Sequence, residues 1–70
     1  MPTFPLAGHP FITLNNLLKV MRFVGSGGEA NLAIEAGDVR VNGELETRKR
    51  RKLYAGDRVA FAGQEVEIGL

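Results

Sequence analysis

Seventy residues carrying nine Lys and Arg, eight Asp and Glu and no Cys make a single small domain of net charge +1. A chain this short buries only about 60% of the surface its unfolded form exposes, and without thiols it has neither disulfides nor thiolate metal sites. No apolar run approaches the roughly 18 residues that a membrane-spanning helix needs, and the opening MPTFPLAGHPF lacks the basic start of a secretory signal, so a cytoplasmic monomer with no membrane contact is expected.

Residues 1–12 hold all three prolines and read as an extended lead-in, with Phe4 and Leu6 able to dock on a core and Phe11-Ile12 as a short strand or staple. Thr13 then suits a helix N-cap. Leu14, Leu17, Leu18 and Met21 follow at i, i+3, i+4 and i+7, one apolar helix face. Lys19 and Arg22, three apart, fall together on the opposite face, and the helix should stop before Gly25. Ser26-Gly27-Gly28-Glu29 has the spacing of a capping box, in which the hydroxyl accepts from the backbone at 29 and the carboxylate reaches back. Ala30, Ala33 and Ile34 make the inner stripe of this second helix, and Gly37 suits the left-handed residue that ends it.

Strands come next. Val39-Arg40-Val41 alternates, valines inward and Arg40 outward. Asn42-Gly43 signals a type I′ hairpin, with Glu44 to Thr47 returning. Gly56-Asp57 marks a turn, and Arg58 to Ala62 with Glu65 to Ile68 form a second hairpin around Gly63-Gln64. The fold class is α+β, with two N-terminal helices packed on a small, mainly antiparallel sheet.

Nothing in the chain assembles catalytic or metal-binding chemistry. His9 is the sole histidine and lies between Gly8 and Pro10, and the acids show no ligand spacing such as His-Glu-x-x-His. No enzyme activity and no cofactor are therefore expected. The distinctive feature is Arg48-Lys49-Arg50-Arg51-Lys52. These five adjacent cations leave only four others against eight acids in the rest of the chain. Solubility needs no such clustering, because interspersed charges achieve it with less repulsion. Neighbouring phosphates of a nucleic acid do call for neighbouring cations. The free N–H groups around Ser26, Gly27 and Gly28 could add a phosphate contact. With no Trp and five other aromatics, most at core positions, recognition of backbone and shape in structured RNA fits better than base stacking. The rival is a protein-interaction module whose loop docks on an acidic protein.

The wording "LNNLLKV…SGGEANLAIEAGDVRVNGELETRKRRKLYAGDRVAF" resembles the S-four RNA-binding domain from about Thr13 to Phe61. The most specific parts are Ser26-x-x-Glu29-Ala30, the run from Ile34 through Gly37, Val39 and Val41 to Asn42-Gly43, and Gly56-Asp57. The short free-standing chain is similar to small stand-alone bacterial YbcJ-type proteins. The resemblance implies an αL motif, two helices and a following loop on a small sheet, that binds structured RNA such as rRNA or another translation-related RNA. Members often carry Arg where Thr13 and Gly27 stand. Here the resemblance leaves the contacts to Lys19, Arg22, Arg40, Arg48, Lys49, Arg50, Arg51 and Lys52, with Ser26, Gly27 and Gly28 as backbone donors.

Overall fold

The computed structural model describes all residues 1–70. Leu14, Leu17 and Leu18 vanish completely from solvent on the inner face of a short first helix, α1 (Leu14–Val20). Burying each such side chain is worth about 1.5–3 kcal/mol, which offsets the weak intrinsic stability of a seven-residue helix. Thr13 stands at the N-cap position, but its hydroxyl donates to the Asn15 side chain rather than capping the backbone. The second helix, α2 (Gly27–Glu35), opens as its capping box predicts: the Glu29 N–H donates to Ser26 Oγ at 3.2 Å. The reach-back goes one residue further than usual, with Glu29 Oε2 accepting from the Gly25 N–H.

Both helices end in the same six-to-one and five-to-two pair of backbone bonds. Phe23 N–H donates to Leu18 C=O and Arg22 N–H to Lys19 C=O, while Asp38 and Gly37 repeat the pattern onto Ala33 and Ile34. The left-handed residue is Gly37 in α2 and Arg22, with φ of 59°, in α1. Arg22 thus stands past the end of α1 instead of sharing a helix face with Lys19. The helical period stops at Val20, two residues short of Arg22.

Seven short strands surround the helices: β1 (Thr3–Pro5), β2 (Ile12–Thr13), β3 (Val39–Val41), β4 (Glu44–Leu45), β5 (Lys52–Leu53), β6 (Arg58–Phe61) and β7 (Gln64–Gly69). The main sheet runs β1-β7-β6-β3-β4, and β2 pairs with β5 in a separate two-stranded ribbon. All pairings are antiparallel except β1 with β7, which is parallel. The α+β expectation therefore holds with a mixed sheet, but the helices are not N-terminal. The supposed lead-in supplies two strands first. Pro5 is tolerated because β1 lies at a sheet edge, and Leu6, only 6% exposed, joins the core.

Asn42 and Gly43 adopt φ of 54° and 83°, the two positive values of a type I′ turn. The second hairpin uses Ala62 and Gly63 the same way, so its turn falls one residue earlier than the sequence suggests, and Gln64 already starts β7. Valines 39, 41, 59 and 66 with Ile68 face the leucines of α1 and Ala30 and Ile34 of α2 in one core. Arg40 and Arg58, on the alternate register, point to the other face of the sheet.

Candidate nucleic-acid interface

Of thirteen buried residues twelve are apolar; the thirteenth is Glu46, 5% exposed. It follows β4, and its N–H donates to the Val39 C=O. Its carboxylate accepts four hydrogen bonds from the basic run. Arg48 gives its backbone N–H at 2.8 Å, Nε at 3.0 Å and Nη2 at 3.0 Å, and Arg51 gives Nη1 at 2.8 Å. These bonds, the Arg48 side chain foremost, outweigh the cost of burial and hold the Glu46 carboxyl down at about 2 instead of 4.5. Arg48 is correspondingly raised above its ordinary value by the same contact.

Backbone contacts complete the anchoring. The Arg51 N–H donates to Arg48 C=O, folding the run into a turn. The carbonyls of Arg51 and Lys49 accept from Leu14 and Asn15 N–H at 2.8 and 3.0 Å, groups that α1 itself leaves unpaired. The β2–β5 pairing sets Thr13 opposite Lys52 and Ile12 opposite Leu53. Lys49 reaches Glu35 near the end of α2 at 3.0 Å. Asn15 ties the helices together, donating to Asn31 Oδ1. The loop is thus a fixed platform over the start of α1 and the end of α2.

The five cations are not equivalent. Arg51 is mostly covered, its side chain 28% exposed, and serves Glu46. Arg48 is held by Glu46 yet leaves 73% of its side chain in solvent. Lys49 has an exposed partner, worth at most about 1 kcal/mol. Arg50 meets no carboxylate and borders a hollow with Thr13, Asn15 and Asn16 at the start of α1. Lys52 places its ammonium 4.9 Å from the centre of the Phe11 ring.

The other residues singled out by sequence lie elsewhere. Lys19, Arg22 and Ser26 to Gly28 belong to the far end of the helical pair, since Lys49 meets Glu35 at the end of α2 and Ser26 caps its start. The Glu29 carboxylate accepts from the neighbouring Gly25 N–H. Arg40 is on the outer sheet face, beside Arg58, Asn42 and Gly43 in a separate shallow hollow. The residue that sequence reasoning missed is Glu46. Its only visible signal is an acid placed two and five residues ahead of arginines.

With its strands, two helices and the loop docked across the helical pair, the chain matches the S4 domain family over residues 4–69. The chain belongs to that family. It is 47% identical over 68 residues to YbcJ of Escherichia coli strain K12, covering 97% of each chain. It is 42% identical over 52 residues to the probable ribosome maturation protein RlbA of Bacillus subtilis strain 168, covering 74% of this chain and 73% of that one. The solution structure of E. coli YbcJ, reported to contain an αL motif involved in RNA binding, superposes with a TM-score of 0.77 at 46% identity. That match covers 100% of this chain and 89% of the other.

Proposed function

We propose that this chain binds structured RNA without catalysis, gripping phosphates with the anchored loop, and that the RNA is ribosomal or otherwise related to translation. The observation that carries the reading is the use of a buried carboxylate to hold like charges side by side. Glu46 offsets the repulsion inside the run while Arg48, Arg50 and Lys52 remain at the surface. A loop needed only for solubility gains nothing from a carboxylate buried at a cost of several kcal/mol before pairing. The relation to a ribosome maturation protein supports the translational assignment. Lys49 joins this surface when it leaves Glu35, and Lys19 and Arg22, at the other end of the helical pair, add a secondary contact to a longer RNA.

Three surface cations that each meet a phosphate give a log–log salt slope of about −2 to −3 for binding to a stem-loop RNA. Affinity measured at several salt concentrations tests this. A flat dependence, or no binding at low salt, would overturn the reading. An acidic protein that binds the loop and is not displaced by stem-loop RNA would favour the protein-interaction alternative.

A further inference from the structure

Only one tyrosine and no tryptophan occur in the chain, and that tyrosine, Tyr54, lies two residues after the basic loop with about half its surface, 51%, exposed. Its ring centre is 6.2 Å from that of Phe11 at an interplanar angle of 56°. Phe11 is covered on one side by the Lys52 ammonium, so Tyr54 is the ring that stands open to solvent. On another side Phe11 walls an apolar hollow of about 120 Å³ with Phe4, Leu6, His9 and Ile12. Tyr54 is held by its backbone rather than by packing. Its N–H donates to Asp57 Oδ2 at 2.8 Å, and its carbonyl accepts from the Asp57 N–H at 3.0 Å. Gly56 and Asp57 are in turn bonded to Ile68 of β7. A half-exposed aromatic ring on a pinned backbone thus lies against Phe11, the ring that also carries the Lys52 ammonium of the phosphate-gripping loop.

We propose that Tyr54, backed by Phe11, is a stacking platform for one unpaired nucleobase, whose flanking phosphate is taken by Lys52. The inference rests on the phosphate-binding reading of the loop and adds the kind of RNA preferred: a helical stem carrying a bulged or looped-out nucleotide. A base inside a duplex is already stacked on both faces, whereas an extrahelical base offers a free π-face. Every base has such a face, so the platform selects for an unpaired nucleotide and not for its identity. Stacking of about 1–3 kcal/mol per base corresponds to roughly 5- to 150-fold in affinity.

The test compares a hairpin RNA bearing one bulged adenosine with the same hairpin lacking it, at a fixed salt concentration. The bulged RNA is expected to bind at least about fivefold tighter and to quench the emission of the single tyrosine more than the plain hairpin does. In Tyr54→Ala the affinity ratio of the two RNAs should collapse to about one, while Tyr54→Phe keeps it. Equal affinities in the unaltered protein, or a ratio that survives Tyr54→Ala, overturn the platform while leaving the loop's role intact. Absence of salt-dependent binding to the plain hairpin overturns the loop reading and the platform with it.

Discussion

Glu46 is the residue on which the loop's conformation depends. Replacing it by Gln keeps the shape but turns its two ion pairs with Arg48 and Arg51 into ion–dipole contacts and gives the site an amide whose donors face arginines. Hydrogen bonds to charged groups contribute about 1.5–3 kcal/mol each, but Arg48 regains water easily, so the net loss for Glu46→Gln should be on the order of 2 kcal/mol. The pH dependence carries the same signature. The carboxyl's value in the folded protein, about 2, lies below its ordinary 4.5. Its contribution is therefore complete above pH about 4.5 and drains away as the pH falls towards 2. Thermal melts from pH 6 to pH 2 should show a steeper loss of stability for the natural protein than for Glu46→Gln. Parallel curves would mean that the four hydrogen bonds do not hold in solution. Strand alternation could not have exposed this residue. Val39 and Val41 are buried, and the register opposes Val41 to Glu44, which is exposed, and Arg40 to Leu45, which is 56% exposed. A two-residue strand with its apolar residue outward defeats a period-2 reading.

At the scale of elements, what could be read from the sequence followed from how local each determinant is. The α2 cap, its Gly37 stop and the Asn42-Gly43 turn are each set by a few adjacent residues, and each appears where expected. Strand β1 was not legible because its partner, β7, lies far along the chain and the prolines around it suggest loop rather than edge strand. A short strand at Phe11-Ile12 is one of two readings of the sequence there, and β2 appears one residue later, at Ile12–Thr13, but its distant pairing with β5 was not legible. The end of α1 was misplaced because Arg22, not Gly, takes the left-handed position. The aromatic platform was hidden because exposure of Tyr54 depends on the turn at Gly56-Asp57 packing against β7. The β3–β4 turn provides a direct test of such local determinants. A Cβ at Gly43 meets no atom within 4 Å, so any cost there comes from the backbone at φ of 83°. Gly43→Val should then lose on the order of 1–3 kcal/mol with the Glu46 contacts unchanged. An unaltered melting temperature would show that the turn tolerates a different backbone.

For the whole molecule, the two groups of cations on the helical side sit at opposite ends of the α1–α2 pair. At the loop end, Arg50 and Lys52 have no carboxylate partner and are positioned by backbone bonds to the start of α1 and by the β2–β5 ribbon. At the other end, Lys19 stands in the last turn of α1 and Arg22 just past it, near the α2 cap, away from the loop. Two double variants separate these ends while removing the same net charge. Arg50→Gln with Lys52→Gln strips the loop. Lys19→Gln with Arg22→Gly strips the helix end and leaves the α1 stop intact, since Gly suits a left-handed position better than Arg does. If RNA seats on the loop, the first pair should flatten the salt slope by about 1.4 to 1.8, two phosphate contacts' worth, and weaken binding strongly. The second pair should change the slope by less than half as much. Melting temperature serves as the control, because Arg22→Gly relieves roughly 1 kcal/mol of backbone strain and so should not lower stability. A larger slope change from the helix-end pair would move the phosphate grip away from the loop, and the buried Glu46 would then be holding together a purely structural turn.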